Sequence, residues 1–111
     1  MADCLFCSIA AGEIPADVVI ETDDVVAFRD INPAAPTHVL VIPRRHIASA
    51  ADLDGGDAEL LSALFDVAAR VGREIEGGWR LVTNVGADAG QSVFHLHFHV
   101  LGGRVLGWPP G

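Results

Sequence analysis

The spacing of apolar residues changes several times along this chain, and each change marks an element. Leu5, Phe6, Ile9 and Ala10 ahead of Gly12 predict a short helix over residues 3–12 with a glycine stop, and Pro15 reinforces the break. Residues 16–21 and 25–29 are rich in β-branched side chains and flank the acidic Thr22-Asp23-Asp24, which predicts a hairpin. Residues 31–36, with two prolines and Asn32, read as a loop. Residues 38–42 are almost wholly apolar, the pattern of a central strand covered on both faces, and Pro43 closes it.

A helical period follows. Leu60, Leu61, Leu64, Ala68, Val71 and Ile75 recur at steps of three and four. A start within residues 54–57, Asp57 and Glu59 in the first turn and Gly77-Gly78 at the end complete the signature of a long helix packed on the sheet. Residues 79–84 then predict a fourth strand, 85–91 a glycine-bearing loop and 92–101 a fifth strand, with an irregular tail over 102–111. Strands, one long helix and further strands indicate an α+β fold: an antiparallel sheet of about five strands with one long and one short helix.

Composition narrows the class. A chain of 111 residues with 50% hydrophobic content suits one domain over residues 1–111 with a core that needs no disulfides. No run approaches the roughly 18 apolar residues of a membrane span, and Asp3 stands where a secretory signal carries positive charge. A cytoplasmic protein with no membrane partner is expected. A formal net charge of -8, with seven basic residues that are all arginine, argues against a nucleic-acid partner. Small phosphorylated ligands remain compatible, because backbone N–H groups hold a phosphate without net positive charge.

Within the fifth strand, His95, His97 and His99 alternate with Leu96, Phe98 and Val100. At a rise of about 3.3 Å per residue this puts three imidazoles on one face and an apolar row on the other. Imidazoles titrate near neutrality and serve as donor, acceptor, nucleophile or metal ligand, so the histidine face predicts a reactive site. Ahead of it, Gly90, Gln91 and Ser92 either form an ordinary turn or aim N–H groups and the Ser92 hydroxyl at an anion. Cys4 and Cys7 form a Cys-x-x-Cys, which is a zinc half-site, a redox pair or two small buried residues. The thioredoxin-like βαβ pattern that accompanies a redox pair is absent, and zinc needs two further ligands from His or Cys.

Read with its flanks, the segment from Gly90 through His95, His97 and His99 to Val100 resembles the histidine triad superfamily, with its His-x-His-x-His signature. Phe28-Arg29-Asp30-Ile31-Asn32-Pro33, Ala35-Pro36-Thr37-His38, Val41-Ile42-Pro43-Arg44-Arg45-His46, Leu101-Gly102-Gly103-Arg104 and Trp108-Pro109-Pro110-Gly111 are similar to its Hint branch, the nucleotide phosphoramidases. The resemblance covers nearly the whole chain. It implies a two-layer α+β fold, a homodimer with a continuous sheet, and hydrolysis of purine nucleoside 5'-phosphoramidates.

Carried over by position, the resemblance makes His97 the nucleophile, with its other ring nitrogen donating to a backbone carbonyl. A neutral imidazole suits this role because it avoids the repulsion a carboxylate meets at a phosphate. His99 would touch the phosphate, His38 would tune proton movement, and Ser92 would serve phosphate or leaving group. Gly90, Gln91 and Asn84 would lie at the phosphate, with Asp30 and Ile31 at ribose and base. Some bacterial relatives carry zinc, and their pattern assigns Cys4, Cys7, His46 and His95 as a structural site; catalysis itself would need no cofactor. The tail, with Trp108, would dock on the body or on the partner subunit.

Three other readings differ in chemistry: a nucleotide-binding scaffold with little turnover, a dinucleoside polyphosphate hydrolase or nucleotidyl transferase using the same histidine, and an enzyme whose three histidines hold a metal. Phe94 where several relatives have Tyr, and Arg44-Arg45 where a lysine pair is more usual, leave the proposed site untouched.

Overall fold

In the computed structural model, which describes residues 4–111, the chain forms α1 (Leu5–Ala10), β1 (Val18–Glu21), β2 (Val25–Arg29), β3 (Thr37–Pro43), α2 (Ala58–Gly72), β4 (Trp79–Val82) and β5 (Phe98–Gly102). The expected helix start at Asp3 lies outside the described residues. The strands pair antiparallel throughout in the order β1-β2-β3-β5-β4. The α+β fold with a five-stranded antiparallel sheet is therefore as expected, and β3 is its buried centre. No helix among the described residues is long and apolar enough to cross a membrane.

The sheet's pleat divides the core. Val25, Ala27, Val39, Val41, Phe98 and Val100 face α2 and pack on Leu64, Val67, Ala68 and Val71. Val26, Phe28, Leu40 and Ile42 face the other way, against Phe6 and Ala10 of α1. A helix of six residues is marginal alone, so α1 owes its order to this packing. Arg44 adds to it by donating to the Ala10 carbonyl at 2.6 Å.

Of the boundaries that differ from expectation, four stand out. The helix expected to run to Gly77-Gly78 stops at Gly72, where the Trp79 indole occupies the space of a Cβ. Ile75 leaves the helix in the turn that returns the chain to β4, while Asp54 and Asp57 form a capping box ahead of α2. β1 begins at Val18 instead of residue 16, beside an irregularity between Val18 and Ile20. β4 ends at Val82 instead of residue 84, and its last partner is His99.

The fourth difference concerns the histidines. β5 begins at Phe98, so only His99 belongs to the paired strand. The β3–β5 register, Val41 opposite Phe98, would place Pro43 opposite Leu96, and proline has no N–H for the ladder. The Leu96 N–H turns to the Ile47 carbonyl at 2.6 Å, and the Pro43 carbonyl is left for a side chain. Alternation nevertheless persists: Leu96, Phe98 and Val100 enter the α2-side core, and the histidines face α1.

Candidate active site and metal centre

A cleft of about 370 Å³ opens on the α1 face of the sheet, within the size range of small-molecule sites. Phe6, Leu40 and Val93 give it apolar walls, and Asp30, Ile31, Asn32, Ser92, His97 and His99 also line it. His97 is 8% exposed, so it is packed but not sealed. Its Nδ1–H donates to the His95 carbonyl at 2.7 Å, which leaves the lone pair on Nε2. Phe6 meets the ring edge-on at 5.1 Å. The Thr83 hydroxyl donates to the His97 carbonyl at 2.9 Å and holds the backbone where the ladder does not reach.

Beside it, His99 lies with ring centroids 5.0 Å from His97, and its Nδ1 is 2.9 Å from His38 Nε2. Asp30 Oδ2 is 3.5 Å from the same His38 nitrogen. Burial pushes His38 below the usual imidazole pKa, with Asp30 opposing. His99 is pushed down to about 4, first by burial, then by His97 and His38, again with Asp30 opposing. Both shifts favour the neutral imidazole. His99 Nε2 is the buried side-chain polar atom that lacks a hydrogen-bond partner among the described residues. An unpartnered buried donor or acceptor is costly, and its presence beside a cleft marks a position for a ligand atom.

The loop ahead of the histidines is largely self-satisfied. The Gly90 N–H donates to the Ala87 carbonyl and the Gln91 N–H to the Gly86 carbonyl, both at 3.0 Å. Gln91 is buried; its Oε1 accepts from the Gly86 N–H while its Nε2 donates to the Ala48 and Val93 carbonyls. Of the three residues, Ser92 is the one that lines the cleft, and Asn84 does not line it either. Trp108 is 82% exposed, so the tail does not bury its indole on its own body. Arg80 Cζ lies 6.0 Å from its ring centre, and Arg80 Nη2 donates to the neighbouring Gly107 carbonyl at 2.8 Å.

A second cluster lies next to the cleft. Cys4, Cys7, His46 and His95 bring one ligand atom each within 4.8 Å of the others. His95 Nδ1 is 3.3 Å from Cys4 Sγ, 3.4 Å from Cys7 Sγ and 3.3 Å from His46 Nδ1, and His46 Nδ1 is 3.3 Å from Cys7 Sγ. Zinc bonds of about 2.05 Å to nitrogen and about 2.3 Å to sulfur set ligand separations of about 3.3–3.8 Å in a tetrahedron, so the donor set fits. The fully buried His95 donates Nε2–H to the Pro43 carbonyl at 2.8 Å, which turns the Nδ1 lone pair to the thiols. Burial, then Cys4, push the Cys7 thiol above its ordinary value, a penalty that a cation would reverse. Cys4 Sγ also accepts the Cys7 N–H at 3.3 Å and so caps α1.

Two contributors were not singled out from sequence. Thr83 gives no signal in the sequence, because its role depends on the ladder ending at Val82. Phe6 was visible as an apolar helix residue, but its contact with His97 requires α1 to cross the sheet at that point.

Residues 11–106 match the HIT domain family. The solved structure of a HIT family hydrolase from Legionella pneumophila Philadelphia 1 superposes with a TM-score of 0.94 at 51% identity, covering 98% of this chain and 100% of that one. An uncharacterized HIT-like protein of Synechocystis sp. is 46% identical over 98% of this chain and 97% of its own length. A 14 kDa zinc-binding protein of Zea mays is 45% identical over 96% of this chain and 87% of its own.

Proposed function

This chain belongs to the HIT domain family, and on that premise we propose that it hydrolyses the P–N bond of purine nucleoside 5'-phosphoramidates through a nucleotidyl-histidine on His97. The observation that carries the reading is the His97 Nδ1–H bond to the His95 carbonyl, which leaves the Nε2 lone pair beside a cleft. Nε2 attacks phosphorus, a bond forms between them, and the P–N bond to the amine breaks as the departing nitrogen takes a proton from solvent, which the water of the second step returns. The Ser92 hydroxyl, on the rim, donates to that nitrogen. His99 supplies a neutral donor to a non-bridging oxygen, where an anionic group would repel it. Asp30 and Ile31 take ribose and base, the carboxylate accepting from two hydroxyls. Water then attacks phosphorus, the bond to Nε2 breaks, and AMP leaves with the imidazole regenerated.

Cys4, Cys7, His46 and His95 hold a structural zinc ion in this reading, supported by their tetrahedral spacing and by the zinc-binding relative. It ties α1 to the loop carrying His46 and to the histidine segment. The homodimer extends the sheet through β4, one of its two edge strands, and places the exposed Trp108 on the partner.

Incubation with adenosine 5'-phosphoramidate tests the reading. AMP release that disappears in His97→Ala and withstands a brief chelator treatment supports it. No release at high protein concentration points to a binding scaffold, and immediate loss with chelator points to metal-dependent chemistry; either result removes the proposal.

A further inference from the structure

Two neutral imidazoles that touch through Nε2 of one and Nδ1 of the other can run their hydrogen bond in either direction. His38 and His99 are such a pair, at 2.9 Å. The backbone selects the direction. The Ala34 N–H reaches His38 Nδ1 at 3.0 Å, and an amide nitrogen only donates, so Nδ1 is an acceptor and the proton of the neutral ring sits on Nε2. His38 Nε2–H therefore donates to His99 Nδ1, since Asp30 at 3.5 Å is too distant to compete. The proton of His99 is then on Nε2, the buried atom without a partner. The same assignment closes the grouping of Asp30, His38 and His99 to a metal ion, because His38 Nε2 has no free lone pair to offer.

Ala34 stands in a loop without helix or strand, so something else must hold its peptide. Its carbonyl accepts from Arg104 Nη2 at 2.9 Å. Arg104 Nη1 is tied to the Val105 carbonyl at 3.0 Å, which steadies the guanidinium. Just before it, Gly103 has φ 92° and lies so close to the loop that a Cβ would come within 2.8 Å of Pro36 Cβ. The chain leaving β5 thus grips the loop at two neighbouring points.

We infer that Arg104 is a positioning residue: by holding the Ala34 peptide from the end of β5, it fixes the His38–His99 pair in the tautomers that place a hydrogen on His99 Nε2 at the cleft. The effect on catalysis rests on the phosphoramidase reading; the tautomer assignment does not.

Long-range proton–nitrogen NMR of the imidazoles in the intact protein reads the tautomers directly. Wild type should show Nε2–H on both His38 and His99. Arg104→Ala should give mixed tautomers, with kcat on adenosine 5'-phosphoramidate lower by about fivefold and KM changed less than about twofold, the size of one lost hydrogen bond. Arg104→Lys should restore both readouts, because an ammonium can donate to the same carbonyl. Gly103→Ala should shift the same imidazole signals while circular dichroism stays that of the folded protein. Nδ1–H on wild-type His38, or Arg104→Ala spectra identical to wild type, would overturn the inference. If wild type turns over no phosphoramidate, the spectra alone judge Arg104, so the two failures are distinguishable.

Discussion

His95 and His97 stand two residues apart on the same face of the same segment, yet they present opposite nitrogens. His95 donates through Nε2 to the Pro43 carbonyl and turns Nδ1 toward two thiols and a second imidazole. His97 donates through Nδ1 to the His95 carbonyl and keeps Nε2 for the cleft. Residue type is identical; what differs is which carbonyl each ring meets. A backbone acceptor fixes the tautomer, and the tautomer decides whether a histidine offers a metal ligand or a nucleophile, and from which atom.

The largest effect should come from removing one side of this comparison. His97→Ala is expected to lower kcat on adenosine 5'-phosphoramidate by at least about 10³-fold, as for loss of a nucleophile, while zinc content by elemental analysis stays near about one per chain. A drop in zinc equal to the drop in rate would show that the two histidines are not separate in function. Cys7→Ser attacks the other side. Zinc should fall well below stoichiometry, and the thermal midpoint should fall by more than about 5 °C, with kcat reduced by less than about tenfold. An unchanged midpoint would mean that the cluster does not hold α1.

Smaller effects sharpen the picture. Thr83→Val removes the hydroxyl that anchors the His97 carbonyl and should cost about 1 kcal/mol of stability by denaturant titration, with kcat down by a few-fold. A wild-type rate would make the anchor dispensable. Between about pH 6.5 and 4, stability should fall as pH falls. His99 has its pKa pushed down to about 4 in the folded protein, so below the ordinary imidazole value the unfolded chain binds a proton that the folded one refuses. The stabilisation is complete above that ordinary value and lost on acidification through it toward about 4. His99→Gln should flatten the curve in this window, and an equally steep curve would assign the loss to other groups.

Local pattern and tertiary geometry divided the problem cleanly. The limits of β2 and the double-sided burial of β3 could be read from apolar runs and the proline that follows, because those signals are carried by adjacent residues. The end of α2 could not, since the tight turn that closes it, with the Glu74 N–H on the Val71 carbonyl and the Ile75 N–H on the Gly72 carbonyl, interrupts an apolar period that runs on to Ile75. The N–H groups of Gly90 and Gln91 close the loop on Ala87 and Gly86, partners that spacing does not reveal. The role of Arg104 was equally hidden, being a contact across 70 positions.

By itself the chain order determined that three imidazoles and an apolar row would share a segment with opposite faces, and that two thiols would sit on one turn, because pleat and helix repeat are properties of neighbouring residues. Only the folded structure decided which nitrogen of each ring is free, because that choice belongs to the carbonyls and amides of Pro43, His95 and Ala34, brought to the rings by sheet register and loop packing.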